Sequence, residues 1–255
     1  MKDTQNELWL ETRLNQEGMD FLHQAISEEN KESWNHRLVG NISKSEVIKD
    51  KDNWFFETTL KALTEKLFYR DWNNYCRYHI EKEEPPKFEL EKLWVNHQKQ
   101  HEFNPLPHVH IALYSFVVFM KIPTHWEEQH TLPFTLYSGN PCASDFQFMW
   151  TQKDTEDSFF RNFKLSPEDE GRMLFFPSSL QHQVFPFYGT EEERITISGN
   201  IRIIDTNKLE EISLTEREEK ENILKVMENG VNNLREILEG PAWDEYQEQK
   251  KRETN

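Results

Sequence analysis

GRMLFFPSSLQHQVFPFYGTEEERITISGNI, residues 171–201, holds two strand patterns with a histidine between them. The run from Arg172 to Phe176 is apolar and stops at Pro177, which has no N–H to give to a ladder. His182 follows after a short loop, and Arg194 comes 12 positions later at the head of a strictly alternating strand, Arg194 to Ile204. Successive side chains of a strand point to opposite faces. Arg194, Thr196, Ser198 and Asn200 therefore share one face, while Ile195, Ile197, Ile201 and Ile203 fill the other apart from Gly199. A polar face of this kind is ordinarily the solvent side of an antiparallel sheet.

Further strands are predicted at Leu93 to Gln98, His108 to Ile122 and Ser144 to Thr151. Most lie too close together for crossover helices, so antiparallel pairing in a barrel or sandwich is expected. Between Ile111 and Ile122 both alternating faces are largely apolar, which places that strand between two layers, with helices over one sheet. The helices come first in the chain. Met19, Leu22, Ala25 and Ile26 give one from Gln16 to Asn30, followed by a polar break, KESWNHRLVGN. Leu60, Leu63 and Leu67 mark a second, from about Trp54 to His79, ending before Pro85 and Pro86. After Asp205 an acidic segment carries a capping box, Thr215 with Glu218, and an amphipathic stripe, Ile223, Met227, Leu234 and Leu238, closed by Gly240 and Pro241. The expected organisation is a helical support over 1–86, a β core over 87–204, and an acidic helical extension over 205–255 whose stripe offers a homodimer contact.

Composition removes several classes of function. The chain has 255 residues and a net charge of −16, which argues against non-specific nucleic-acid binding. Its longest apolar stretch, Ile111 to Met120, falls short of the roughly 20 residues of a membrane span. The start, MKDTQNELWLETR, shows no apolar secretory core, so a soluble protein in the cytoplasm is expected. Two cysteines, Cys76 and Cys142, 66 positions apart, exclude a disulfide scaffold and a cysteine zinc site. Any metal must sit on histidine and carboxylate. With 18 Phe, 8 Trp and 7 Tyr, a core can be built from few, bulky side chains.

His108 and His110 flank one valine, and His182 lies 72 positions after His110. In a strand, residues two apart face the same way, so HVH can offer two ligands to one metal and a distant segment the third. Alone, HVH is equally a hydrogen-bonded surface pair. Beside a metal, the polar face of the 194–204 strand becomes an anion pocket: Arg grips a carboxylate by two parallel hydrogen bonds, and a hydroxyl two positions on reaches the same group. His97 and His101 are four apart but sit in a strand and turn, where a structural or solvent role is expected. His125 and His130 fall in a polar loop. Trp126, Phe146, Phe148 and Trp150 are read as core and barrel rim, or as the border of a substrate groove.

The HVH, His182 and Arg194 spacing resembles the Fe(II)- and 2-oxoglutarate-dependent oxygenases, whose signature is HxD/E, a distant His and an Arg about a dozen residues later. More narrowly, LVGNISKSEVIKDKDNWF (38–55), LWVNHQKQHEFNPLPHVHIALYSFVVFMKIP (93–123) and FPSSLQHQVFPF with ERITISGNI resemble the oxygenase-like proteins of tailed phages, cyanophages above all. The resemblance implies a double-stranded β-helix (jelly-roll) core backed by helices, and a dioxygenase taking 2-oxoglutarate, O2 and a further substrate. It also implies Fe(II) on His108, His110 and His182, and the far carboxylate of 2-oxoglutarate on Arg194 and Thr196. Tyr114 and Asn96, on strands expected beside the iron, are read equally as hydrogen-bond donors to 2-oxoglutarate or as core packing. Prolyl-type hydroxylation is the nearest analogy for the reaction. The sequence departs from the signature at one ligand, since His110 stands where a carboxylate is usual. Three neutral imidazoles leave Fe(II) at +2 before the anionic cosubstrate arrives, which alters redox potential and metal selectivity. Glu102 or Asp145 is the candidate to restore a carboxylate. Two other readings stay open: a cupin-type metal enzyme, disfavoured by the lack of a Glu in Ile111 to Ser115, and a jelly-roll phage structural protein without catalysis.

Overall fold

The computed structural model describes residues 8–29, 31–71, 86–106, 108–151 and 157–204. In chain order these include β1 Leu10–Arg13, α1 Gln16–Ser27, β2 Lys44–Val47, α2 Lys61–Asp71, β3 Lys87–Gln98, β4 Tyr114–Lys121, α3 Trp126–His130, β5 Phe146–Thr151, β6 Ser158–Phe163, β7 Arg172–Pro177, β8 Gln181–Val184 and β9 Arg194–Ile204. The chain divides into two units, Met1–Ile203 and Ile204–Asn255. The expected cap, stripe and stop of the second unit, and the far end of the second predicted helix, lie outside the described residues.

Local chemistry sets the helix starts. Asn15 caps α1 by accepting from the Gly18 N–H at 2.9 Å. Asp50 takes the N–H groups of Phe55 and Phe56 at 2.8 and 2.9 Å and so opens the turn that runs through Phe56–Leu60 into α2. The strands form two sheets. The larger is ordered β1-β7-β4-β9-β3-β2 and the smaller β6-β5-β8, with antiparallel registers along β1·β7, β2·β3, β4·β7, β4·β9, β5·β6 and β5·β8. The fold is mostly β with flanking helices, a double-stranded β-helix core, as the resemblance implies.

Alternation sorts the core into two layers. Tyr114, Phe116, Val118 and Met120 of β4, Met173 and Phe175 of β7, and Ile197 and Ile201 of β9 pack with Leu22 of α1, Leu67 and Phe68 of α2, and Phe55 and Leu60 from the turns before it. Their intervening neighbours, Val117, Phe119, Leu174 and Phe176, join Phe146, Phe148 and Phe163 of the smaller sheet. Burying one such Leu or Phe contributes roughly 1.5–3 kcal/mol, so these rows fix the register of the sandwich. The two-sided burial read from Ile111–Ile122 is observed over Leu113–Met120, with the helices over the larger sheet, while Ile111 is fully exposed. Gly199 interrupts the isoleucine face for a packing reason: a Cβ there would meet Phe116 Cζ at 2.6 Å and the Lys92 carbonyl oxygen at 2.7 Å.

Several expected boundaries move. The strand expected to start at His108 begins at Tyr114, because the backbone of the preceding loop pairs elsewhere. His110 N–H donates to Ser178 O (3.0 Å), His182 N–H to His108 O (3.2 Å), and Leu113 N–H to Ile201 O (2.9 Å). The first helix ends at Ser27 rather than Asn30. β1, β2, β6 and β8 were not signalled; each has only four to six residues and no long apolar alternation. Among the described residues, no helix is long and apolar enough to cross a membrane.

Candidate metal centre

His108 and His110 sit on the loop before β4, and His182 is on β8. The backbone bonds that pull this loop onto residues 178–182 gather all three rings. Centroids lie 4.5 Å apart for His108 and His110, 4.6 Å for His108 and His182, and 5.3 Å for His110 and His182. Each residue offers one ligand atom, and these atoms all lie within 4.8 Å of one another. The shared face predicted for a strand is therefore achieved by a loop.

The electrostatics suit ligation. His108 and His182 are buried and His110 is half-buried. Burial lowers the pKa of His108; burial and His108 push His110 down to about 4; and burial with the two neighbouring rings takes His182 well below the ordinary 6.5. All three are neutral bases near pH 7, as a divalent cation requires. His182 Nδ1 lies 2.9 Å from Leu180 O. A carbonyl can only accept, so the proton is on Nδ1 and the Nε2 lone pair is free. His108 Nδ1 is buried with no hydrogen-bond partner, a state that costs roughly 1–3 kcal/mol unless something else approaches it. Three converging neutral bases, one bare in the interior, fit a metal ion.

The rings lie against a cavity of about 100 Å³ between the sheets, whose lining includes Asn96, Gln98, Thr196, Ser198 and Asn200. The polar face of β9 thus looks into the sandwich rather than into solvent, and Ser115 Oγ donates to Asn200 Oδ1 at 2.9 Å to fix part of it. Asn96 lines the cavity and accepts from Ser45 Oγ at 2.8 Å. Tyr114 does not: one residue out of phase with Ser115, it packs on Phe175 at 5.4 Å in the helix-side core. Of the two roles read for it, this placement is the core-packing one.

Arg194 is fully buried. Its Nη2 donates to the carbonyl and hydroxyl oxygens of Ser144 at 2.8 and 2.5 Å, Nη1 lies 3.5 Å from the cavity-lining Gln98 Oε1, and Nε has no partner. Ser144 offers both oxygens from a left-handed backbone, φ 72°. Burial lowers the Arg194 pKa to about 10 against the opposing pull of Asp145, so it remains a cation.

Neither candidate carboxylate joins the histidines. Asp145 is bonded to His130 Nε2 at 2.9 Å and Asn162 Nδ2 at 3.0 Å, and burial still raises its pKa. The Glu102 carboxylate takes the backbone N–H groups of Ser43 and Lys99 at 3.0 and 2.9 Å. His97 bonds Glu193 at 3.0 Å, and the exposed His101 meets Tyr188 edge to face with ring centroids 5.0 Å apart. His130, read as a loop residue, is instead buried in α3. Among the cavity residues that sequence reasoning missed are Trp34, Arg37 and Leu38, inside the segment read as a polar break, and Trp94, Gln98 and Asn104. A tryptophan within that polar run was the available signal.

No curated protein sequence matches the chain. Among solved structures, a Pseudomonas putida prolyl-4-hydroxylase aligns at 14% identity over 78% of this chain and 95% of that one, TM-score 0.44. A Burkholderia pseudomallei oxidoreductase of the 2OG-Fe(II) oxygenase family aligns at 8% identity over 78% and 86%, TM-score 0.48. HygX from Streptomyces hygroscopicus, solved with nickel and 2-oxoglutarate bound, aligns at 9% over 78% and 84%, TM-score 0.41. Residues 92–200, the span that carries the three histidines, Arg194 and the polar face of β9 up to Asn200, match the family model described as "Putative 2OG-Fe(II) oxygenase", and this likeness supports an oxygenase of the 2-oxoglutarate- and Fe(II)-dependent type.

Proposed function

We propose that the chain is an Fe(II)- and 2-oxoglutarate-dependent dioxygenase that hydroxylates a further substrate, with prolyl-type hydroxylation as the nearest analogy. The observation that carries this is the convergence of three neutral histidines on a cavity whose opposite wall is the polar face of β9. His108, His110 and His182 would hold the metal, which would supply the O2 and one-electron chemistry that side chains lack.

The chain's own groups do the rest. Leu180 O holds His182 in one tautomer and aims its Nε2. Phe146, stacked on the His182 ring at 5.9 Å, and Phe176, edge to face with it at 5.0 Å, keep water from that side. Arg194, with its unpartnered Nε, and Thr196 supply the cation and hydroxyl for the far carboxylate of 2-oxoglutarate, and Asn96 adds a polar contact. The same proposal extends to the 1–86, 87–204 and 205–255 organisation, to dimerisation through the C-terminal helix, to a tailed-phage origin and to action in the cytoplasm.

Anaerobic titration with Mn(II), with and without 2-oxoglutarate, tests this. An oxygenase gains thermal stability from metal and more from metal plus 2-oxoglutarate. A cupin-type enzyme responds to metal alone, and a structural jelly roll to neither. Either of those results would end the proposal.

A further inference from the structure

Among the described residues, Arg37 is the only formally charged one that lines the cavity, and no carboxylate does. The chain has 46 acidic residues against 30 Lys and Arg, and several cations on the fold do pair with carboxylates: Lys51 with Glu28, Lys121 with Glu192, and Arg172 with Glu11. Among the described residues, the Arg37 guanidinium has no hydrogen bond or ion pair.

The loop that presents Arg37 is held firmly. Trp34 N–H donates to Ser45 O at 2.8 Å, Asn35 Nδ2 to Ile42 O at 2.7 Å, and Ser45 N–H to Asn35 Oδ1 at 2.9 Å. Asn41 and Phe103 exchange backbone bonds at 2.9 and 3.2 Å. Gly40 makes this approach possible, since a Cβ would fall 2.6 Å from Asn104 Oδ1 and 2.7 Å from the Phe103 carbonyl oxygen. Beside Arg37 the wall is aromatic and leads to the histidines: Trp34 stacks on Trp94 at 5.8 Å, and Trp94 lies 5.8 Å from His110.

We propose that the substrate oxidised at this centre is an oxyanion, a carboxylate or phosphate attached to an apolar or aromatic body, with Arg37 gripping the anion and Trp34 and Trp94 flanking the body. This substrate class rests on the oxygenase reading of the histidines. An exposed guanidinium without an ion pair, carried on an ordered loop, can match a planar oxyanion with two parallel hydrogen bonds. Aromatic rings at its side add area that a small inorganic anion could not use. On the oxygenase reading Arg194, buried behind the lining, is kept for the cosubstrate, so the two guanidinium groups would read two different anions.

Calorimetry tests this with 3-phenylpropanoate, its neutral amide and phenyl phosphate, on the protein alone and on protein loaded with Mn(II) and 2-oxoglutarate. The wild type should bind an oxyanion about 10-fold or more tightly than the amide, and the better of the two oxyanions names the source. Arg37→Gln should abolish that preference, Arg37→Lys should keep part of it, and neither should change Mn(II) or 2-oxoglutarate affinity. Equal binding of acid and amide by the wild type overturns the proposal, as does a preference that survives Arg37→Gln. Loss of 2-oxoglutarate binding in Arg37→Gln also overturns it, making Arg37 the cosubstrate clamp. Failure of the wild type to bind Mn(II) or 2-oxoglutarate would instead sink the oxygenase reading, while the acid-to-amide ratio on the unloaded protein still reports on Arg37.

Discussion

The histidine end of the site and the Arg194 end, which lies buried behind the cavity lining, treat buried polar atoms in opposite ways. At the histidine end, a ring nitrogen of His108 is bare, and the one clear bond to His182 leaves its other nitrogen free. At the arginine end, Ser144 and Gln98 already take two of the three Arg194 nitrogens, and Asp145, tied to His130 and Asn162, neutralises part of the charge. Interiors leave few polar groups unsatisfied. The contrast therefore separates a place built to receive a ligand from a place built mainly to hold a cation steady, with only Nε left to give.

The largest expected effect is at the histidine end. His182→Ala should abolish stoichiometric Mn(II) or Fe(II) binding in an anaerobic titration, because no other described residue offers a ligand atom to the group. Wild-type stoichiometry in this variant would move the metal elsewhere and erase the contrast.

Arg194→Ala comes next. It should leave metal affinity nearly intact and weaken 2-oxoglutarate by about 10- to 150-fold, the worth of a hydrogen bond to a charged group of roughly 1.5–3 kcal/mol. An unchanged dissociation constant would make the arginine end purely structural. His130→Ala isolates the structural part: Asp145 loses one of its two side-chain bonds, so stability to urea should drop by about 1–3 kcal/mol with Mn(II) affinity unmoved. A fall in Mn(II) affinity would show that the two ends are coupled.

Acid should act at the histidine end first. Folding lowers the pKa of all three histidines below their ordinary 6.5, to about 4 at His110. The unfolded chain therefore binds protons that the metal-free fold refuses. The stability this gives is complete above about pH 6.5 and is lost as pH falls toward about 4. Thermal midpoints of the metal-free protein should decline across that window, and a flat profile would mean that the rings are not desolvated. The smallest change is expected from His110→Asp, which restores the usual two-histidine, one-carboxylate set from the same loop and should keep or raise metal affinity, while His110→Ala lowers it. Wild-type binding in both variants would remove His110 from the ligand set.

Periodicity read most of the scaffold. The alternation in Ile111–Ile122 showed a strand buried on both faces, and the stripes beginning at Met19 and Leu60 showed the helices that cover it, because a strand's period of two and a helix's of 3.6 are local properties. HVH, His182 and Arg194 were legible as residue types at telling spacings. The loop that gathers the rings was not, since it is shaped by bonds between residues 108–113 and segments near 178–182 and 201.

What the sequence determined by itself was the place of the longer strands along the chain, which residues of β9 share a face, and the three histidines singled out by their spacing. The tertiary structure alone decided that β9's polar face looks inward, that Tyr114 belongs to the helix-side core one residue out of phase with Ser115, that Asp145 is consumed by His130, and that Trp34 and Arg37 wall the cavity. The physical reason is the same each time. Alternation says which residues share a face but not what the face meets, and the partners of Arg194, Asp145 and Trp94 come from segments up to 60 residues away or beyond, for example Ser144 at |i−j| of 50 from Arg194, brought close only when both sheets close over the cavity.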